Sequence, residues 1–284
     1  MKQLFLVLML LGTIGLAQPG KNSSAPVIGV QLYSFRNEMK TDVDGVLAQV
    51  KAMGFTEVEA AGYNWKSAAE FKQKLDQHGL KNISFFADYN RLKTDFASVV
   101  ADAKALNAKY VIVGWIPHKG NEFTLADTEQ AIKDFNKWGA QLAQEGLKFA
   151  YHVHGYEFQT IGLPAGQGTL FDKLMKETDP NTVAIELDVY WIQWPGQDPV
   201  KILKQLGKRV ELMHLKELPK GMKGDLTGHA DVETNIVVGT GQIDFPAIMK
   251  TARQIGVKHY FIEDESSRSL TQVPQSLKYL QSLK

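Results

Sequence analysis

Residues 151–158 read Tyr-His-Val-His-Gly-Tyr-Glu-Phe, two histidines two apart with a glutamate three residues after the second. The run leading into them, 148–154, has the apolar content of a buried strand. Alternate residues of a strand share a side, so His152 and His154 lie with Ala150, and Tyr151 and Val153 take the other side. Other apolar runs also end in ionisable groups. Run 183–188 carries Glu186 and Asp188, run 210–216 carries His214 and Lys216, and run 259–263 ends at Glu263 with Asp264 and Glu265 beyond. Glu59 closes run 56–60 in the same way. Burying that many ionisable groups costs several kcal/mol each unless they pair or hold a cation. Imidazole and carboxylate donors suit a divalent Mn, Co, Zn, Fe or Mg ion. A salt-bridged rim without an ion is the competing reading.

Elements must bring those groups together. Apolar runs at 27–33, 56–60, 82–86, 110–115, 148–154, 183–188, 210–216 and 259–263 alternate with stretches of helical spacing. In 42–53, Val43, Val46, Leu47 and Val50 form one stripe, and Ile132, Phe135, Leu142 and Ala143 do the same in 129–145. This alternation marks βα units and a parallel sheet. Asp198-Pro199, and Asp244 ahead of Phe245-Pro246, have the form of helix starts. Eight such units in about 250 residues predict a single-domain α/β fold, a (β/α)8 TIM barrel over 27–284 with its chemistry at the C-terminal ends of the strands. A doubly wound sheet is the alternative, but no Gly-x-Gly-x-x-Gly follows the first run. Gly239-Thr-Gly241 sits late, with no strand directly before it.

The N-terminus carries a different signal. Lys2, the apolar run 4–14 and the small-x-small Gly15-Leu16-Ala17 describe a secretory signal peptide. Cleavage is expected after Ala17, with residues 18–26 as a polar tether and a secreted or periplasmic location. The apolar core falls short of the ~20 residues of a membrane span, so no stable membrane insertion is expected. A net charge of +1 argues against nucleic acid as a partner. The 284 residues include no cysteine, which excludes thiolate chemistry and Cys-based metal sites.

The segments "IGVQLYSFR", "GFTEVEAAGY", "YHVHGYEF", "ELDVYWIQWPGQDP", "MHLKEL", "GTGQIDF" and "FIEDESS" together resemble the xylose isomerase-like TIM barrels, a family of sugar isomerases, epimerases and dehydratases with an apurinic endonuclease branch. The resemblance covers nearly all of the chain after the tether. It implies a divalent metal on Asp188, His214 and Glu263. The fifth-strand position, glutamate in many relatives, is His152 here, with Glu157 as its rival for fourth ligand.

On this resemblance, Glu157, His154 and Glu263 are candidates for proton transfer and Lys216 for polarising a substrate oxygen. Glu59 would bind a sugar hydroxyl or brace His214. Tyr33, Trp115 and Trp191 would wall the substrate, and Glu186 would stand behind the ligands. His78, His118, His229 and His259 are expected on the surface or in packing. The expected function is metal-dependent isomerisation or epimerisation of an unphosphorylated sugar or keto sugar. The alternative is β-elimination by a lyase or dehydratase on a 3-keto glycoside or inosose-like substrate. A non-catalytic carbohydrate-binding barrel and a DNA-directed endonuclease are the remaining readings, and a homo-oligomer is allowed.

Overall fold

The structure is a computed structural model that describes residues 26–61 and 66–283. The expected signal peptide, and the tether as far as residue 25, lie outside the described residues. Eight parallel strands close a barrel in chain order: β1 (Ile28–Gln31), β2 (Glu57–Ala60), β3 (Lys81–Phe86), β4 (Tyr110–Val113), β5 (Lys148–His152), β6 (Val183–Asp188), β7 (Val210–Leu215) and β8 (His259–Ile262). Each matches its apolar run to within two residues at either end. The barrel is the fold expected from the alternation.

Helices cover the outside: α1 (Val43–Ala52), α2 (Ala68–Gln77), α3 (Tyr89–Thr94), α4 (Phe96–Ala105), α5 (Leu125–Gln144), α6 (Leu170–Glu177), α7 (Val189–Gln193), α8 (Pro199–Leu206), α9 (Phe245–Ile255) and α10 (Ser269–Ser282). All but α10 begin on an Asp, Ser or Thr whose side chain accepts a first-turn amide. Such a cap satisfies a donor that the helix itself leaves unpaired. Asp198 and Asp244 do this ahead of prolines, as their spacing suggests. Helix α5 starts four residues before the expected 129, because Thr124 and Asp127 form a reciprocal capping box.

Strand alternation divides the core. One set of side chains packs outward against the helices. The other fills the barrel with Ile83, Tyr110, Ile112, Ala150, Ala184, Leu212 and Phe261. Gly29 belongs to the interior, where an added Cβ would come within 2.7 Å of the Phe261 ring. Above this apolar layer the inward positions turn polar. Cross-strand register sets Gln31 beside Glu59, Glu59 beside Ser84, His152 beside Glu186 and Asp188 beside His214. Among the described residues no helix is long and apolar enough to cross a membrane.

Candidate active site

The polar layer lies at the C-terminal ends of the strands and is almost dry. Glu59, Glu186, Asp188 and His214 are fully buried, and His152 is nearly so. Two imidazoles stand among the carboxylates, each with a carboxylate behind it. Glu186 Oε2 lies 2.9 Å from His152 Nδ1, and Glu59 Oε1 lies 2.6 Å from His214 Nε2. Glu59 is itself held by Gln31 Nε2, which donates at 2.7 Å, and by the Ser84 hydroxyl. The other nitrogens, His152 Nε2 and His214 Nδ1, each lie 4.0 Å from Asp188 Oδ2. Glu263 Oε2 is 3.3 Å from His214 Nδ1.

Asp188 divides its carboxylate. Oδ1 accepts the Tyr190 amide at 2.8 Å and starts α7, while Oδ2 is buried without a hydrogen-bond partner. Ligand atoms of Asp188, His214 and Glu263 lie within 4.8 Å of one another, and so do those of His152, Glu186 and His214. These distances allow a common cation.

The electrostatics describe a cluster short of positive charge. Burial raises the Asp188 carboxyl to about 7 despite Lys216 and His214 nearby. Burial and then Glu59 push Glu186 well above the usual carboxylate range. Burial opposes a charged His214, but Glu186, Glu263 and Glu59 outweigh it and favour the imidazolium. Burial would also raise Glu263, yet Lys216 and His214 hold it well down. A divalent cation would relieve the same shortage that otherwise draws a proton to His214.

Above the cluster opens a cavity of about 710 Å³ lined by Gln31, Tyr33, Phe86, His118, His152 and Glu263 among others. That volume falls within the usual range for small-molecule sites. His154 also lines it, stacked on Trp191 at 4.9 Å. Burial, then Lys216, depresses the His154 imidazole to about 3, and its Nδ1 has no hydrogen-bond partner. Among the described lining residues there is no lysine or arginine.

Other sequence candidates lie differently. Glu157 stands outside the cluster. It is buried, accepts from the Tyr151 hydroxyl and, at 2.9 Å, from the His154 amide. Left-handed Gly155 (φ 89°) turns the chain after β5 and carries Glu157 beneath the loop, leaving His152 as the fifth-strand group beside Asp188. Lys216 is 1% exposed, 3.3 Å from Glu263 and paired with Glu265, with its ammonium over the Tyr190 and Trp191 rings. It is an ion-pair partner for the acids and does not reach the cavity wall. Trp115 lines the cavity, stacked on His118 at 4.9 Å and with His229 at 5.2 Å. Trp191 lies between His154 and Lys216, and Tyr33 lines the cavity beneath the Arg36 guanidinium.

His118, expected to be remote, lines the cavity with an unpartnered Nε2, while Ile116 O holds its Nδ1 at 2.7 Å. Nothing in its loop sequence marks it. His78 and His259 pair with Asp44 and Glu57 away from the site, as expected of packing residues.

A closed eightfold barrel with an acid and imidazole cluster at its C-terminal mouth defines a class of α/β barrels. The chain belongs to the xylose isomerase-like TIM barrel family, whose sequence model matches residues 47–283. It is 28% identical over 196 residues to an inosose dehydratase of Geobacillus kaustophilus and spans 62% of that protein's length and of its own. Among solved structures it is similar to a sugar phosphate isomerase/epimerase of Parabacteroides distasonis, with a TM-score of 0.73, 25% identity and coverage of 93% and 97% of the two chains. It shares its fold with the IolI protein, solved with a bound zinc atom, at a TM-score of 0.70 and 15% identity over 89% and 96% of the chains.

Proposed function

We propose that this protein is a metal-dependent lyase that eliminates water or an alcohol from the position next to the carbonyl-activated carbon of an unphosphorylated, polyhydroxylated ketone. One observation carries the choice of elimination over the isomerisation expected first. Of the buried imidazole nitrogens without partners, the two on cavity-lining residues, His154 Nδ1 and His118 Nε2, both stand on the β4–β5 side. Glu263 is engaged by His214 and Lys216 and held ionised. Epimerisation by two bases needs a free proton carrier on each face of the substrate. A single base on one wall serves elimination, taking the carbon's proton and handing it to the departing oxygen.

His152, Asp188, His214 and Glu263 would hold the cation. The orphaned Asp188 Oδ2 and the surplus of buried carboxylates fit that role. When bound, the ion supplies positive charge to the oxyanion that develops beside the carbon losing its proton. His154 lines the cavity and its Nδ1 has no hydrogen-bond partner, which places it to receive that proton. Gln31 and Tyr33 bind and orient the substrate from the opposite wall. The lack of lysine and arginine in the described lining, and the export expected from residues 1–17, both support a substrate without phosphate. The inosose dehydratase relative supports elimination, and the isomerase/epimerase neighbour supports the second reading.

The test is incubation of the metal-loaded protein with inososes, keto sugars and 3-keto glycosides in D2O, followed by NMR. Release of water or an alcohol with formation of an unsaturated ketone is expected, and His154→Ala should suppress it. Deuterium incorporation into substrate with no released product would establish isomerisation instead.

A further inference from the structure

We propose that Glu186 and Glu59 are positioning residues that hold His152 and His214 in opposite tautomers, so that Nε2 of one ring and Nδ1 of the other face a single cation beside Asp188. The inference rests on the cation site described above and adds what sets its geometry.

Hydrogen-bond bookkeeping carries it. A neutral imidazole has one donor and one acceptor nitrogen, and the partner of one fixes the role of the other. With a cation relieving the shortage of positive charge, both glutamates are ionised, and an ionised carboxylate only accepts. Glu186 Oε2 at 2.9 Å therefore accepts the hydrogen bond of His152 Nδ1–H, which leaves the Nε2 lone pair free. Glu59 Oε1 at 2.6 Å accepts the hydrogen bond of His214 Nε2–H and leaves the Nδ1 lone pair on the side of Asp188 and Glu263, the latter 3.3 Å away. The two remaining nitrogens, His152 Nε2 and His214 Nδ1, each end 4.0 Å from the same unpartnered oxygen, Asp188 Oδ2. Two rings from different strands, used in opposite senses, converge on one point.

The supports are built in. Gln31 and Ser84 donate to the two oxygens of Glu59, so that carboxylate cannot turn away from His214. Glu186 lies directly across the strand pair from His152, as Glu59 lies across from Gln31 on one side and Ser84 on the other. Phe86 packs on both imidazoles, 5.5 Å from His152 and 6.0 Å from His214, and limits ring rotation. Carboxylates placed behind ligating histidines orient the ring and raise its basicity, and losing one costs about 10–100-fold in metal affinity.

A rival reading uses the same atoms. Ligand atoms of His152, Glu186 and His214 also lie within 4.8 Å of one another, so Glu186 could hold a second ion directly. Under positioning, Glu186 needs only its Oε2; under direct ligation it becomes part of a two-ion centre.

Cobalt titration separates the two, read by visible absorption and by ions bound per chain, on the wild type, Glu186→Gln, His152→Ala and the double variant. Positioning predicts one ion per chain, an affinity about 10–100-fold weaker in Glu186→Gln, and no further loss from that change in the His152→Ala background. Two ions per chain, or equal losses from Glu186→Gln with and without His152, would overturn the proposal. So would wild-type affinity in a folded Glu186→Gln. If Glu186→Gln does not fold, Glu59→Gln in wild-type and His214→Ala backgrounds applies the same cycle to the second ring. A wild type that binds no cation refutes the metal reading itself, whereas a tight single ion indifferent to both glutamates refutes only the positioning.

Discussion

The two mouths of the barrel are both charged, but they supply their acids with cations very differently. At the N-terminal mouth Glu211 receives Lys148 and Lys258 at 2.7 Å and the Tyr110 hydroxyl at 2.6 Å. Glu57 beside it pairs with Lys81 and His259. At the C-terminal mouth Glu59, Glu186, Asp188, Glu263 and Glu265 share one lysine and the two imidazoles of His152 and His214, and two buried carboxylate oxygens remain without partners. Acids that each have a lysine partner close the bottom of the barrel and ask nothing of solution. An unsatisfied one in a cavity is a functional-site candidate.

The contrast can be broken first at the top. His214→Ala and Asp188→Asn should each lower turnover about a thousandfold or more, since the ion's charge is worth several kcal/mol. The fold should survive, as judged by circular dichroism. Adding the cognate ion to stripped protein at a hundredfold excess over Kd should stabilise it by about 2.7 kcal/mol, or roughly 5–10 °C in the melting midpoint.

The bottom should behave oppositely. Glu211→Gln should cost about 1–2 kcal/mol, a charged hydrogen-bond value discounted because both lysines remain nearly half exposed, and should leave turnover unchanged. Burial alone would raise the Glu211 carboxyl, but hydrogen bonds from Lys148, Lys258 and Tyr110 hold it at about 2. Its stabilisation is therefore complete above the ordinary carboxylate range and is lost as pH falls toward about 2. Urea midpoints measured through that window should flatten in Glu211→Gln. At the small end, Lys173→Ala breaks surface pairs with Glu177 and Glu129 and should cost only about 0.5–1 kcal/mol in the same assay.

Much of this was readable in the chain because apolar alternation sets both strand and facing. The parity that placed His152 with Ala150, and Glu186 with Asp188, is the parity that points them into the barrel. What stayed hidden depends on closure. Gln31 and Ser84 are ordinary polar residues until the barrel sets them on either side of Glu59, 28 and 25 positions away. His118 sits in an irregular loop where no periodicity says which way a side chain faces. Glu157 could stand as a rival to His152 in the sequence because spacing along the chain cannot register the turn at Gly155.

Asp188 has a consequence for how such a chain can drift. One of its oxygens starts a helix and the other points to the candidate cation. Asparagine would preserve the start and forfeit the charge, while glutamate would preserve the charge and overreach the amides of Tyr190 and Trp191. No single neighbouring residue type satisfies both demands, so selection on this codon should be tight even where the surrounding loop varies freely.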